Sequence, residues 1–436
     1  MSNYDLIIVG AGAAGLGAAL EASDLAQTDG KPRPKILVLE ALNRLGGRMK
    51  TESFGPGYTF DLGGSWLHGG LINVFHKWAS DRYAGKYNYN VDKVENPIVL
   101  TDHGTYDGSF TAEQSTRFEE LWNDHQCEYP GTDTSFLELY NRIPLDQRTQ
   151  KDADYIRAVA KLWMAAMAPQ NVSAREYFED PYATGGVMIK GGMQMLVKLM
   201  ADEARHRDVT FLNGAVAKSV DQAQDGVTVN LEDGRVFTAA KAIVTVASEV
   251  LKKKAVTLGV NVPAELENAL EGTQPAHYAK VILPLEPGYL DSLGYHSDCR
   301  ITDLRKGQDK TILIRSNGNQ ALIKMIGGQD ALDVEHMIIR DVETKFIEEI
   351  QSTGYFKHFG KHVMVGPVQI TDWNSHPFFG QAYSVKKPGY NRDGVISFGR
   401  IGVAGEAFSL AQDGGAQISG AHQSGVRLIR KMYTPN

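Results

Sequence analysis

The chain has 436 residues, 42% of them hydrophobic, enough to bury a large core and to build two domains. A formal charge of −7 and a pI near 6.0 leave no basic footprint for nucleic acid, and an acidic field mildly favours a cationic small molecule. The two cysteines, Cys127 and Cys299, fit neither a disulfide framework nor a metal site of the usual spacing; they read as ordinary thiols in a reducing, cytoplasmic setting.

Residues 5–15 open as a buried-strand run and break into Gly10-x-Gly12-x-x-Gly15, followed by an alanine-rich helix through residues 18–22. Gly10 permits a tight turn, Gly12 lets backbone approach a pyrophosphate, and Gly15 lets helix and strand pack closely. The helix N-terminus offers free N–H groups to the anion. A second strand over residues 35–39 ends in Glu40, placed to accept hydrogen bonds from an adenosine ribose. Gly15 and Glu40 stand 25 residues apart, slightly more than usual, and the polar loop at residues 28–34 absorbs the excess. No cationic leader precedes the first strand, the apolar stretch at residues 6–20 is too short and glycine-rich to span a bilayer, and no apolar tail closes the chain. The expectation is a soluble protein without a membrane partner.

Downstream, Arg44, Gly46, Gly47 and Arg48 combine close backbone approach with charge-assisted donors for a bound dianion. Gly63, Gly64, Ser65, Trp66 and His68 follow. With both ends and the middle of the chain contributing, this pattern resembles the flavin amine oxidase family. The resemblance implies a doubly wound, Rossmann-like α/β domain for FAD, discontinuous in sequence, and an α+β substrate domain. Residues 1–73, 185–275 and 390–436 are assigned to the first, and residues 74–184 and 276–389 to the second.

Residues 74–184 read as mostly helical, with apolar residues at three and four spacing around 117–123, 136–140 and 155–167. The chain then returns to the nucleotide fold. A glycine pair stands at Gly191 and Gly192, a strand is predicted at 210–216, a strand at 227–231 leads into a turn at Gly234, and a buried strand runs over 242–247. In the family, the valine matching Val216 meets the adenine through its backbone. Residues 276–389 are expected to form a mixed sheet.

Lys280 lies mid-strand among apolar neighbours, an arrangement that invites a functional reading. In the family the matching lysine holds a water beside flavin N5, and its charge helps dioxygen reoxidise the flavin. Trp373 and Tyr383, ten residues apart, match a second family block, with Tyr383 as one wall of an aromatic cage before the flavin. Where some members link the flavin through a cysteine, this chain has Ala382, so the FAD is expected to be held non-covalently. Gly405 and Glu406 open the last block. Glu406 is expected to accept from ribityl hydroxyls, and a helix starting near Gln417 and Ile418 points its N-terminus at the pyrimidine O2. Gln417 stands where many members place the second cage aromatic.

His68 matches the polyamine-oxidase branch, where this histidine lies near the substrate path. Amino-acid oxidases place a carboxylate-binding arginine just after the equivalent glycines, and Ser65 to Leu67 contain none. The implied function is oxidation of a polyamine-like or other primary or secondary amine to an imine, with O2 as the final acceptor and hydrogen peroxide released. No metal is called for. Asp124, Glu128 and Glu138 are candidates to anchor a second ammonium. An L-amino-acid oxidase, a flavin-dependent dehydrogenase and a non-catalytic flavoprotein are the alternatives, and a homodimer is left open.

Overall fold

A computed structural model describes residues 4–54, 58–92, 97–162, 164–182, 185–259, 261–306, 310–315, 318–392 and 394–433. Five strands run parallel in the order Thr210–Asn213, Ile36–Glu40, Tyr4–Val9, Val236–Val244 and Ile401–Val403. Their near-continuous apolar runs follow from burial on both faces. Leu6 and Ile8 meet the helices Ala13–Thr28, Gln194–His206 and Ile418–Tyr433, while Ile7 and Val9 face a second cluster built on the neighbouring antiparallel strands. Val236–Val244 joins the two: its first residues pair antiparallel with Gly226–Leu231, and its last three lie parallel to Ile401–Val403. This is the doubly wound α/β arrangement expected.

Two boundaries differ. The strand predicted at 210–216 stops at Asn213 because the chain turns at Gly214, with φ of +62°, and Ala215 N–H then donates to the Glu40 carbonyl at 2.8 Å. The strand predicted at 242–247 instead begins at Val236, its early half recruited by the hairpin at Gly234.

The second sheet has seven strands in the order Gln369–Ile370, Tyr278–Pro284, Ala321–Gly327, Lys310–Arg315, Cys299–Asp303, Ile98–Thr101 and Gly104–Tyr106. It is mixed, since Cys299–Asp303 runs parallel to Ile98–Thr101 and the other pairs are antiparallel. The segment read as mostly helical thus supplies two strands to this sheet, and Tyr89–Asp92 pairs elsewhere with Gly186–Ile189. Its α-helices are Val74–Arg82, Gly108–Glu128, Phe136–Arg142, Gln150–Leu162 and Ala174–Phe178.

Helical spacing through residues 155–167 overstates the last of these. The helix ends at Leu162, and Trp163 lies outside the described residues. Ala165 and Ala166 adopt left-handed φ of +51° and +58°, unusual for residues with a Cβ. They press onto the sheet at Gly327, where a Cβ would come within 2.4 Å of the Ala165 carbonyl carbon. Among the described residues no helix is long and apolar enough to cross a membrane, and no cluster could hold a metal ion.

Candidate active site

The glycine loop joins the strand Tyr4–Val9 to the helix Ala13–Thr28. A Cβ on Gly15 would lie 1.9 Å from the Gly10 carbonyl oxygen, so close packing of strand and helix requires glycine there. Gly12 is the helix N-cap, with no side-chain cap, and a Cβ on it would meet nothing within 4 Å. The first-turn N–H groups thus lack a side-chain cap beside a glycine with room around it, the setting a phosphate needs.

Glu40, at the end of its strand, accepts from Ala11 N–H at 2.8 Å and Leu42 N–H at 2.9 Å. Burial raises its carboxyl above the ordinary value, with those two bonds and Arg44 opposing. Each oxygen keeps a free lone-pair direction. Val216 lies just beyond Ala215, and its carbonyl accepts from Glu232 N–H at 2.9 Å. The Gly46–Gly47 turn folds against the loop: Gly46 N–H donates to the Ala11 carbonyl at 2.9 Å, and Arg44 Nη1 closes the turn on the Gly47 carbonyl at 2.7 Å.

Lys280 is buried mid-strand, as its flanks foretell. Its Nζ donates to Ser65 Oγ at 2.6 Å, to the Gly63 carbonyl and to the Asp61 carbonyl at 3.3 Å, and sits 5.3 Å above the Trp66 ring. Desolvation is the main cause that lowers its pKa to about 8, with Asp61 opposing and Arg315 assisting. Asp61 caps the helix Gln194–His206 by accepting from Met193 N–H at 2.8 Å; burial pushes its carboxyl up to about 6.

His68 stacks on Trp66 with ring centroids 6.3 Å apart. Burial, and then the Lys280 charge, pull its pKa down to about 4, so it is neutral at neutral pH. The ring of Tyr383 meets Tyr278 edge-on at 6.1 Å, and burial raises the pKa of both phenols.

Trp373 is in a turn, away from any strand, and belongs to the core. Its indole N–H donates to the Leu62 carbonyl at 3.2 Å, its ring packs on Phe379, and it lies beneath Gly63. A Cβ on Gly64 would come still closer, 2.7 Å, to Ile418, the first residue of the helix Ile418–Tyr433.

Glu406 is fully engaged by protein. Its Oε1 accepts from Arg48 Nη1 and Nη2 at 3.1 Å and from Gln381 Nε2 at 3.3 Å, and its Oε2 accepts from the Ser384 amide at 3.2 Å and the Ser384 hydroxyl. Burial pushes the carboxyl up, but Arg48, Ser384 and Arg392 overcome it and hold it below its ordinary value. A ribityl hydroxyl would have to share an already crowded carboxylate. Gly405 N–H, next to it, donates to Ser424 Oγ at 2.9 Å.

Three observations fit a large planar, phosphate-bearing cofactor between these blocks: the open space at Gly12, and two buried polar atoms with no hydrogen-bond partner among the described residues, Trp66 Nε1 and Gln417 Oε1. Gln417 Nε2 donates to Asp180 at 2.7 Å, and burial lifts Asp180 to about 6. The acids suggested for a second ammonium lie elsewhere. Glu138 completes a capping box with Ser135, Glu128 pairs with Arg142 at the surface, and Asp124 is exposed.

Residues 132–428 match the family profile described as flavin containing amine oxidoreductase, and residues 8–79 match that of an NAD(P)-binding Rossmann-like domain. The chain is 22% identical to polyamine oxidase 4 of Oryza sativa subsp. japonica, across 97% of this chain and 87% of that protein. It is 32% identical to an L-amino acid dehydrogenase of Synechocystis over 33% of this chain and 30% of that one. Among solved structures, wild-type putrescine oxidase bound to putrescine superposes with a TM-score of 0.76 at 16% identity, covering 99% of both chains, which shows a common fold.

Proposed function

The chain belongs to the flavin containing amine oxidoreductase family and uses FAD, and from that premise we propose that it oxidises the carbon–nitrogen bond of a small primary or secondary amine with O2 as acceptor. The observation that carries the reading is Lys280, a buried ammonium donating to Ser65 and to the Gly63 carbonyl beside Trp66.

The chemistry FAD supplies when bound is two-electron oxidation of the carbon that bears the amine nitrogen, with the electrons passed on to dioxygen. On this reading Gly10, Gly12 and Gly15 hold the pyrophosphate, Glu40 and the backbone of Val216 hold the adenosine, and Arg44, Gly46, Gly47, Arg48, Gly63, Gly64, Ser65, Trp66, Gly405, Glu406, Gln417 and Ile418 surround the rest. Trp373 supports that wall from behind. Ala382 offers no side chain for a covalent link, so the cofactor is held by these contacts alone. We assign residues 1–73, 185–275 and 390–436 to the cofactor domain and residues 74–184 and 276–389 to the substrate domain.

Tyr383, backed by Tyr278, provides an electron-rich ring against which the amine nitrogen and its carbon are aligned. His68, neutral at the working pH, adds no repulsion toward an incoming ammonium and is too weak a base to hold its proton. Lys280 keeps a positive charge where negative charge develops on reducing oxygen. Water then hydrolyses the imine to an aldehyde, and oxygen leaves as hydrogen peroxide. The polyamine oxidases matched along nearly the whole chain support an amine donor. A direct test is supply of an amine panel to the purified holoenzyme, assaying aldehyde and peroxide together. One-to-one formation supports the reading, and aldehyde without peroxide replaces O2 by another acceptor.

A further inference from the structure

A cavity of about 440 Å³, the size of an ordinary small-molecule site, lies between the helices Ala13–Thr28, Val74–Arg82 and Ile418–Tyr433. Its walls include Glu21, Asp24, Trp78, His422, Gln423 and Arg430. Glu21 and Asp24 lie about 14 to 18 Å along the helix from Gly12 at the usual α-helical rise, so this space is separate from the phosphate cradle at the same helix's N-terminus.

His422 is fully buried in this wall, yet neither its Nδ1 nor its Nε2 has a hydrogen-bond partner among the described residues. Its ring packs on Trp78 and Phe75, with centroids 4.3 and 4.8 Å away. It also presses on Gly17, where a Cβ would come within 2.9 Å of His422 Cδ2. Burial, and then the Arg82 charge, pull its pKa down to about 3, so the imidazole is neutral and carries one donor and one acceptor. A core that needed only an aromatic ring would be better served by phenylalanine, because glycine inside a helix and unpaired buried nitrogens both cost stability. Gln423 and Trp78, both partly accessible, add an amide and an indole N–H that likewise make no hydrogen bond among the described residues.

The charged groups of the lining are paired with one another. Glu21 meets Arg430 at 2.6 Å, and Asp24 is held by Arg82 at 3.0 Å and by Arg207, both of which also meet Glu203. An entering anion or cation would lose hydration and find no unpaired counter-charge. A purely apolar guest would leave the imidazole, the amide and the indole N–H unsatisfied. An uncharged planar ring buries aromatic surface against Trp78 and His422, and an edge carrying C=O beside N–H matches their donors and acceptors.

We propose that this cavity binds an uncharged planar heteroaromatic with an amide or lactam edge, the edge that nicotinamide and the pyrimidine bases share. His422 and Gln423 are its hydrogen-bonding residues and Trp78 its aromatic wall. The site is distinct from the one that takes the amine, and it is independent of the amine-oxidation reading.

The test titrates the flavin-loaded enzyme by calorimetry with nicotinamide and with uracil, and with toluene, benzoate and benzamidine as apolar, anionic and cationic probes of similar size. At least one of the two heteroaromatics should bind, roughly tenfold or more tighter than the other three, and should quench tryptophan emission without moving the visible flavin band. Trp78→Phe should remove that quenching. His422→Phe keeps a ring and deletes both nitrogens, and Gln423→Met deletes the amide at a partly accessible position where folding is not at stake. Each should weaken binding roughly tenfold, the scale of one hydrogen bond, with flavin content at the wild-type level. Absence of binding by both heteroaromatics, equal binding of toluene or of a charged probe, a flavin band that shifts on binding, or an affinity unaltered in Gln423→Met and His422→Phe overturns the proposal. Amine oxidation is read separately, from flavin reduction, and stands or falls apart from these outcomes.

Discussion

The ammonium of Lys280 reaches the hydroxyl of Ser65 at 2.6 Å, across 215 residues of sequence, and so ties the seven-stranded sheet, at its second strand, to the glycine-rich segment of residues 63–64. Its charge is at once structural, through the Gly63 and Asp61 carbonyls, and available for chemistry beside Trp66.

Lys280→Met should slow reoxidation of reduced enzyme by air roughly a hundredfold, the scale for removing one preorganised charge donor, while anaerobic reduction by substrate changes little. Stopped-flow traces of the two half-reactions separate these effects. Equal loss in both would assign Lys280 to substrate handling.

The same lysine predicts a pH profile. With a folded pKa of about 8 against an ordinary 10.5, Lys280 is protonated below pH 8 and loses its charge above it. The reoxidation rate should therefore fall as pH rises through about 8, and Lys280→Met should lose that step. For stability the sign is opposite. The folded state binds fewer protons than the unfolded between the two values, so holding this group charged opposes folding below pH 8 and the penalty is relieved as pH climbs toward 10.5.

Two glycines should respond differently to the same change. Gly12→Ala meets no protein atom within 4 Å, so the fold should survive at a cost of about 1 kcal/mol at the helix cap while FAD affinity drops. Gly15→Ala places its Cβ 1.9 Å from the Gly10 carbonyl oxygen and should cost about 3 kcal/mol or more, unfolding or emptying the protein. Thermal melts of the apoprotein and retained flavin absorbance distinguish them. A Gly12→Ala protein that keeps full flavin occupancy would dismiss the phosphate cradle.

Glu406→Gln leaves the partly buried Arg48 against a neutral partner, and Glu406→Ala leaves it only the Ala382 carbonyl at 2.9 Å; the latter should cost about 3 kcal/mol. Because the Glu406 carboxyl is held below its ordinary value, its contribution to stability is present above pH 4.5 and lost as pH falls through the lower folded value. Thermal midpoints of wild type and Glu406→Gln should accordingly converge as pH falls.

His68 should contribute no ionisation between about pH 5 and 8, where an ordinary imidazole titrates, because burial and Lys280 have moved it to about 4. Replacing it with Asn should leave the shape of the pH–rate profile intact in that range. A limb that vanishes in the variant would show that His68 changes protonation during turnover.

What was legible in the chain followed from strong local patterns. The glycine loop, the Glu40 strand end and the mid-strand Lys280 announce themselves because their neighbours are unmixed apolar runs. Local pattern failed where a distant partner decides the outcome. The helix read through Met167 is cut at Leu162 by contact with Gly327, and the strand at Ile98–Thr101 exists because Cys299–Asp303 receives it. Trp373 shows the converse, since spacing selects it and packing beneath Gly63 gives it a supporting place.

The most direct measurement is anaerobic titration of the purified holoenzyme with amines, amino acids and aminocarboxylates, watching the visible flavin band, followed by admission of air. The account predicts bleaching by an amine-bearing compound and rapid recolouring with hydrogen peroxide. A flavin that no amine bleaches, or one that stays reduced in air, would contradict it.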